Sequence, residues 1–280
     1  MMQNMDFDWL GLSGKKVVIT GAASGIGEQI AISAAQAAAH VILMDINPDS
    51  VMALKNSLVE QGYKVDAFAC NTAELSQVQE VAKTVARLGG ADVLVNNAGI
   101  LRTAALADVT PEQWLHVLQV NLSGYLWCAQ QFGAQMQAKG KGSIVNVASI
   151  AALFPQSNSG AYSSSKAGVL LLSKQLAVEW GPKGVRSNVV CPGMIKTSLS
   201  AAFYADPELE AARARMTASR RVGIPQDIAN AVLFLASERA GYVNGTELLV
   251  DGGMSTVLMD MVPRPGFNKV TGVVNQEVKA

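Results

Sequence analysis

Short apolar runs alternate with longer, helix-like stretches from one end of the chain to the other. The runs that predict β-strands are residues 16–20, 41–45, 65–69, 93–96, 143–148, 185–190 and 247–250. Helices are predicted between them at 25–39, 74–88, 111–138, 160–181 and 225–237, and another begins at Asn47-Pro48. Several helix starts place a proline beside a polar or acidic residue, as in Thr110-Pro111-Glu112, a pattern that favours the first helical turn.

The predicted strands are apolar throughout, which is typical of strands buried on both faces of a parallel sheet. Together with the regular strand–helix order, this pattern predicts an α/β fold. We expect a single domain with a doubly wound parallel sheet of about seven strands and helices on both faces. Because sheets of this kind bind ligands beyond the carboxyl ends of their strands, the residues that follow each strand are the candidates for function.

The composition narrows the classes of protein to which the chain can belong. Its 280 residues are 50% hydrophobic, and Lys+Arg and Asp+Glu are both 22, so neither disorder nor nucleic-acid binding is indicated. The uncharged stretch 113–138 contains too many glutamines and asparagines for a bilayer. The N-terminus lacks the basic start of a signal peptide, and we expect a cytoplasmic protein. Cys70, Cys128 and Cys191 are expected to be buried free thiols.

A glycine-rich turn, Thr20-Gly21-Ala22-Ala23-Ser24-Gly25-Ile26-Gly27, follows the first predicted strand. The glycines allow a tight turn and a close approach of the backbone to a ligand. The next helix would present unpaired N–H groups and the positive end of its dipole to a pyrophosphate. The predicted dinucleotide-binding residues here are Gly21, Ser24, Gly25, Ile26 and Gly27. The spacing differs from the GxGxxG fingerprint, and a purely structural turn is the alternative.

Asp45 ends the second predicted strand, about 20 residues beyond the glycines. A carboxylate there can accept hydrogen bonds from an adenosine ribose diol, and it would repel a 2′-phosphate. Neither Ser24 nor Ile46 supplies the cation that such a phosphate would need. We therefore predict NAD(H) in preference to NADP(H); the alternative is a solvated aspartate that only starts a turn.

Further motifs occur in a fixed order along the chain. They are Asn96-Asn97-Ala98-Gly99 after the fourth strand, Asn121 in the long helix, Ser149 after the fifth strand, Tyr162-Ser163-Ser164-Ser165-Lys166, and Pro192-Gly193 after the sixth strand. Together with the glycine turn, these motifs make residues 14–253 resemble the short-chain dehydrogenase/reductase superfamily. The resemblance implies a Rossmann-like fold and an oxidoreductase of the single-domain type.

Tyr162 and Lys166 are four residues apart and therefore share one helix face. A phenol with a pKa near 10 exchanges protons poorly at neutral pH. An ammonium about 4 Å away, at an effective dielectric constant near 20, contributes on the order of 4 kcal/mol and could lower the pKa of the phenol by up to roughly three units. The spacing therefore predicts that Lys166 brings the pKa of Tyr162 towards neutral pH.

The resemblance implies a role for each catalytic residue. Tyr162 would exchange a proton with the substrate oxygen, and Ser149 would hydrogen-bond that oxygen. Lys166 would lower the pKa of Tyr162 and hold the nicotinamide ribose, while Asn121 would anchor a water molecule in a proton relay. Tyr162 is also implied to contact the cofactor, as Lys166 is. The other residues implied to contact it are Asn71, which stands where relatives commonly have aspartate, and Asn97, Ala98, Gly99, Pro192, Gly193, Ile195 and Thr197.

Residues 198–221 correspond, by resemblance, to a mobile substrate lid. The candidate substrate-contacting residues are Phe154, Gln156, Met194, Leu199 and Phe203. They are mainly apolar and carry no charge, which favours a neutral secondary alcohol or ketone. Neither His40 nor His116 lies beside a motif, and no metal site is predicted.

Two features concern assembly and the end of the chain. Uncharged residues in 113–138 and 168–172 correspond to helices that pair between subunits in relatives, so we expect a homotetramer, with internal packing as the alternative. The dinucleotide-binding and catalytic domain is expected to span residues 1–253. The extension 254–280 would either pack on a neighbouring subunit or fray.

The leading interpretation is an NAD(H)-dependent oxidoreductase that interconverts a secondary alcohol and a ketone by hydride transfer, with Tyr162 as the general acid/base. The second is an NADPH-dependent 3-oxoacyl-thioester reductase, against which Asp45 argues. The third is a catalytically silent dinucleotide-binding scaffold. The presence of Ser149 together with Tyr162 and Lys166 argues against it.

Overall fold

The computed structural model describes residues 9–197, 200–201 and 204–262, and within them seven parallel strands form one sheet. The strands are β1 (Lys16–Thr20), β2 (His40–Asp45), β3 (Val65–Ala69), β4 (Val93–Asn96), β5 (Gly142–Val147), β6 (Val185–Pro192) and β7 (Glu247–Val250). They lie in the order β3-β2-β1-β4-β5-β6-β7. The predicted doubly wound parallel sheet is confirmed, with small shifts at the strand ends.

The α-helices in the described residues are α1 (Gly25–Gln36), α2 (Pro48–Glu60), α3 (Leu75–Arg87), α4 (Pro111–Leu118), α5 (Gly124–Lys139), α6 (Tyr162–Trp180), α7 (Pro207–Arg215) and α8 (Pro225–Ala236). Local sequence explains their starts. Asn47 accepts a hydrogen bond from the Ser50 N–H ahead of Pro48, and Thr110 and Gln113 form a capping box. The sequence pattern did not predict α7, which lies inside the proposed lid and carries charged residues around most of its surface.

The single helix predicted for 111–138 is wrong in one respect. Helices α4 and α5 are joined by a π-helical turn, Gln119–Ser123. Such a turn closes hydrogen bonds one residue further along than an α-helix and often marks a functional site. Here it contains Asn121, which is fully buried, and Tyr125, four residues later in the first turn of α5, is also buried. The irregular turn thus contains one buried polar side chain and is followed closely by a second.

Apolar side chains cover the sheet on both faces, because successive residues of a strand point to opposite sides. Ile19 of β1 belongs to a cluster with residues of α1, α2 and α8. Its neighbour Val18 belongs to a cluster with residues of α3, α5 and α6. The strands are apolar at successive positions because helices pack on both faces of the sheet. Burial of these apolar side chains accounts for much of the stability of the sheet.

The three cysteines are free and buried, as predicted. His40 is the first residue of β2, and its Nε2 lies 2.7 Å from Oδ2 of Asp66. Among the described residues, no helix has both the length and the apolar character needed to cross a bilayer.

Candidate active site

The site lies where the strand order reverses. β2 lies on one side of β1 and β4 lies on the other, so the connections that leave β1 and β4 run to opposite faces and open a crevice at the carboxyl edge. The glycine turn follows β1 and residues 97–99 follow β4, so both flank this crevice. The structure therefore brings together two motifs that are far apart in sequence.

The glycine turn is held closed by contacts that leave no room for side chains. Gly21 has φ +61°, and a Cβ on it would lie 2.8 Å from Cα of Ala98. A Cβ on Gly27 would lie 2.0 Å from the Gly21 carbonyl oxygen. The Asn97 side-chain amide donates to the carbonyl oxygens of Thr20 (3.1 Å) and Gly21 (3.0 Å). Asn97 thus supports the turn through its side chain.

The turn leaves donors available for an anion. Ser24 precedes α1, and its side chain makes no capping hydrogen bond, so the first-turn N–H groups lack the intrahelical partners that later residues have. Gly25 has φ +57°, and a Cβ on it would fill the space in front of Thr197, at 3.4 Å from the Thr197 Cβ. A cavity of about 520 Å³ lies here, lined in part by Ser24, Lys196 and Tyr204. This cradle fits a pyrophosphate at a helix N-terminus.

Asp45 and Asn71 lie at the ends of neighbouring strands β2 and β3. The Asp45 carboxylate accepts from the backbone N–H of Ala23 (2.9 Å) and of Asn47 (3.0 Å). It therefore ties the end of β2 to the glycine turn. Among the ion pairs of the described residues, none involves Asp45. The Asn71 side-chain oxygen accepts from the Ala73 N–H at 3.1 Å.

Ser149 and Tyr162 meet beyond the end of β5. Ser149 precedes a short 3₁₀ turn, Ile150–Ala152, and its Oγ accepts from the Ala151 N–H at 3.1 Å. Tyr162 is the first residue of α6. Burial raises the pKa of the Tyr162 phenol above its ordinary value, and a hydrogen bond with the Ser149 side chain partly opposes that rise. The two hydroxyl groups therefore lie within hydrogen-bonding reach of each other.

Lys166 is buried next to Tyr162. Its Nζ donates to the Val147 carbonyl oxygen (2.9 Å) and to the Tyr125 hydroxyl (3.2 Å). The same atom lies 5.9 Å from the centroid of the Tyr162 ring. Burial lowers the pKa of Lys166 to about 7, because an ammonium loses hydration in a dry environment.

The direction predicted for the Tyr162 pKa differs from what the structure gives. The four-residue spacing predicts that Lys166 lowers this pKa, whereas burial raises it. Two physical reasons account for the difference. Desolvation of the phenol outweighs the lowering effect of its hydrogen bond with Ser149, and the ammonium of Lys166 donates to Val147 and Tyr125. Spacing alone contains no information on burial.

Asn121 uses its whole amide in protein contacts. Its Oδ1 accepts from the Ile100 N–H (2.8 Å), and its Nδ2 donates to the Ile100 carbonyl oxygen (2.9 Å) and to Ser165 Oγ (3.1 Å). A Cβ on Gly99 would lie 3.4 Å from both Asn121 Oδ1 and Lys166 Nζ. Asn121 therefore fixes the loop after β4 beside Lys166, and the anchored water remains a prediction.

The loop after β6 completes the crevice. Gly193 follows Pro192, and a Cβ on it would lie 2.6 Å from Cα of Asp251. Ile195 pairs with Gly223 in an isolated bridge, and the Thr197 N–H donates to Ser200 Oγ at 2.9 Å. These contacts fix the loop, and Thr197 lies against Gly25 of the glycine turn.

The candidate substrate residues are described only in part. Phe154 is 51% exposed, Gln156 is exposed and Met194 is partly buried. Leu199 and Phe203, like residues 263–280, lie outside the described residues. Within the described part of the chain, no cluster of His, Cys, Asp and Glu could hold a metal ion.

Tyr125 is the polar site residue that sequence reasoning missed. It lies in the first turn of α5, and its hydroxyl reaches the Val147 carbonyl oxygen at 2.9 Å. In the sequence, its position four residues after Asn121 could have indicated that it belongs to the site. That signal is weak, because an aromatic residue in a helix is usually explained by core packing.

Comparison with known proteins places this geometry in a family. A family model described as Enoyl-(Acyl carrier protein) reductase matches residues 21–255. The D-threitol dehydrogenase of Mycolicibacterium smegmatis is 39% identical over 251 residues, covering 89% of this chain and 96% of that protein. The chain belongs to the short-chain dehydrogenase/reductase family.

Two further members of the short-chain dehydrogenase/reductase family are similar along nearly their whole length. The 3-oxoacyl-(acyl-carrier-protein) reductase of Thermotoga maritima is 38% identical and covers 87% of this chain and 98% of its own. A gluconate 5-dehydrogenase from Burkholderia cenocepacia, solved with NADP and tartrate, is 32% identical with a TM-score of 0.85, covering 89% of this chain and 98% of its own. The predicted family is confirmed, and the chain is an oxidoreductase of the kind that acts on secondary alcohols and ketones.

The lowered pKa of Lys166 leads to a prediction on stability. Because this pKa is about 7 in the folded state and near 10.4 when unfolded, the unfolded state holds more protons between these values. The free energy of unfolding attributable to Lys166 therefore rises with pH over that window, by at most about 1.4 kcal/mol per pH unit, and is lost as the pH falls towards 7. Urea unfolding between about pH 7 and 10 should show wild type gaining stability relative to Lys166→Met.

The exposed Lys183 provides the matched control. Lys183→Met removes the same charge from the surface and should run parallel to wild type across the pH range. Identical pH dependence for the two variants would contradict the burial of a titrating Lys166.

Proposed function

We propose that the protein is an NAD(H)-dependent oxidoreductase that interconverts a neutral secondary alcohol and the corresponding ketone. The observation that carries the proposal is the convergence of Ser149, Tyr162 and Lys166 next to the glycine-turn crevice. A hydroxyl pair beside a buried ammonium is suited to proton exchange with a substrate oxygen.

We assign the pyrophosphate and the two riboses of the dinucleotide to residues along this crevice. When bound, NAD(H) accepts or supplies a hydride at its nicotinamide ring. The first-turn N–H groups after Ser24 would bind the pyrophosphate, Asp45 would accept from the adenosine ribose diol, and Lys166 would hold the nicotinamide ribose. The other residues proposed to line the cofactor are Gly21, Gly25, Ile26, Gly27, Asn71, Asn97, Ala98, Gly99, Pro192, Gly193, Ile195 and Thr197.

Tyr162 is proposed as the general acid/base and Ser149 as the hydrogen-bond partner of the substrate oxygen. The raised pKa of Tyr162 keeps its phenol protonated at neutral pH, which suits proton donation during ketone reduction. Alcohol oxidation needs the phenolate, and a charged Lys166 nearby favours that form. Asn121 would order the water that links this pair to solvent.

The proposed substrate is neutral because the candidate pocket residues carry no charge. Phe154 and Met194 are apolar, and Gln156 is a neutral hydrogen-bonding group. The D-threitol dehydrogenase relative supports a polyol or other neutral secondary alcohol. The 3-oxoacyl reductase relative supports a second candidate, a 3-oxoacyl thioester.

Substitution of the phenol tests the proposal. Wild type should turn over neutral alcohols and ketones, followed by absorbance of the reduced nicotinamide, and should disfavour matched carboxylates. Tyr162→Phe should lower kcat by at least about a hundredfold, because it removes the proton-exchanging group. Its Kd for NAD(H), measured by fluorescence, should stay close to that of wild type.

The partly buried Tyr63, which packs against the core cluster containing α2, provides the control. Tyr63→Phe should retain wild-type turnover. Full activity in Tyr162→Phe would contradict the role of Tyr162 as general acid/base. A strong preference for a carboxylate over neutral alcohols and a 3-oxoacyl thioester would contradict the proposed neutral substrate.

Cofactor preference is tested at Asp45. Asp45→Ser removes the charge that would repel a 2′-phosphate, so the ratio of kcat/KM with NAD to that with NADP should fall at least about tenfold. Asp49→Asn removes an exposed charge nearby in α2 and should leave the ratio unchanged. A wild-type enzyme that prefers NADP, the cofactor bound to the gluconate 5-dehydrogenase neighbour, would refute the NAD assignment.

We further propose a cytoplasmic homotetramer with a catalytic domain at residues 1–253. The support is apolar surface on α6, where Leu171 is 70% and Val178 is 76% exposed. In the extension, Leu258 is also 70% exposed, and the extension is proposed to pack on a neighbouring subunit.

A charged residue in this surface should break the assembly. Leu171→Glu would bury an unpaired carboxylate between subunits, so sedimentation velocity at micromolar concentration should show species smaller than the wild-type tetramer. Met52→Glu, on the partly exposed face of α2, should sediment like wild type. A monomeric wild type would dispose of the proposal.

A further inference from the structure

Tyr125 forms a closed set of hydrogen bonds with Lys166 and the end of β5. Its hydroxyl donates to the Val147 carbonyl oxygen at 2.9 Å and accepts from Lys166 Nζ at 3.2 Å. Lys166 Nζ donates to the same carbonyl oxygen at 2.9 Å. Each of the three groups therefore contacts the other two, and the ammonium is held at a fixed point.

The surroundings of Tyr125 keep this arrangement rigid. The side chain is 1% exposed, and its backbone carbonyl oxygen accepts from the Asn96 amide at 3.3 Å. The preceding residue, Gly124, approaches Thr72 so closely that a Cβ would lie 3.0 Å from the Thr72 carbonyl oxygen. Tyr125 therefore has little freedom to move away from Lys166.

The ammonium of Lys166 lies between two tyrosine rings. Its Nζ is 5.0 Å from the centroid of Tyr125 and 5.9 Å from the centroid of Tyr162. Both distances are within the range in which an aromatic face attracts a cation. Tyr125 thus supplies both a hydroxyl acceptor and an aromatic face to Lys166.

We propose that Tyr125 is a positioning residue that holds the Lys166 ammonium beside Tyr162. This inference rests on the proposed function, in which Lys166 acts on Tyr162 and on the nicotinamide ribose. Tyr125 touches neither substrate nor cofactor in this proposal and acts only through Lys166.

The charge on Lys166 depends on few groups. The titratable side chains that face it are Tyr125 from α5, Tyr162 from its own helix α6 and Cys191 from β6. Burial lowers the pKa of Lys166 to about 7 and raises the pKa of Tyr125 well above its usual range, so Tyr125 stays a neutral acceptor. Loss of that acceptor disfavours the ammonium and lowers the pKa of Lys166 further. A less charged Lys166 then stabilises the Tyr162 phenolate less.

Tyr125→Phe removes only the hydroxyl and is the variant that tests this role. In alcohol oxidation, the rising limb of the plot of kcat/KM against pH should move to higher pH. The kcat at neutral pH should fall roughly tenfold, because a hydrogen bond to a charged group is lost. Tyr63→Phe, which removes a hydroxyl remote from the site, should leave the profile in place. Thermal unfolding checks that each variant is folded, and Tyr125→Met provides a second variant without the hydroxyl.

A second measurement does not require turnover. Carbon-13 NMR of labelled lysine side chains, with Lys166 assigned by its absence in Lys166→Met, gives the pKa of Lys166 directly. Tyr125→Phe should lower this pKa by about one unit. A folded Tyr125→Phe with an unchanged Lys166 pKa and an unchanged pH profile would overturn the positioning role while leaving the proposed function standing. A shifted pKa in a protein without dinucleotide-dependent turnover would support the positioning of Lys166 and refute the proposed function.

Discussion

The all-parallel register of the sheet is the constraint on which the site depends. Asn96 of β4 is aligned with Asn146 of β5, and Val147 is aligned with Val190 of β6. Because every strand runs in the same direction, the residues that follow them emerge at one edge. The Asn96 amide also donates to Asn146 Oδ1 at 2.9 Å, which secures the register immediately below the site. Motifs that are separated by more than half the chain are thereby brought together at one edge of the sheet.

Burial of a single ammonium sets the chemistry at this edge. Lys166 is removed from water, so its charge depends on a backbone carbonyl and two tyrosine side chains. In such surroundings the lysine and the phenol of Tyr162 each favour their neutral forms. The Val147 carbonyl oxygen and the Tyr125 hydroxyl accept from the ammonium, and the hydrogen bond with Ser149 favours the phenolate of Tyr162. The site is therefore built so that proton exchange is sensitive to what fills the crevice.

Several residues of the proposed cofactor site also support the fold. The Asp45 carboxylate binds the backbone of the glycine turn, and the Asn97 amide closes that turn from the other side. Asn121 holds the loop after β4 through Ile100. Structural and binding roles are thus combined in the same side chains. The crevice keeps its shape because these side chains hydrogen-bond to the backbone of the glycine turn and of the loop after β4.

The order of strands and helices, the glycine turn and the four-residue spacing of Tyr162 and Lys166 followed from the sequence by itself, because periodicity, helix-start signals and glycine placement are local properties. The π-helical turn at Asn121 and the short helix α7 did not follow, since neither has an apolar pattern of its own. Only the tertiary structure decided where the Lys166 ammonium lies and in which direction the pKa of Tyr162 moves. Tyr125 holds the ammonium through a contact made across 41 residues of sequence, and burial raises the pKa of Tyr162. Desolvation is a property of the folded surroundings rather than of spacing along a helix.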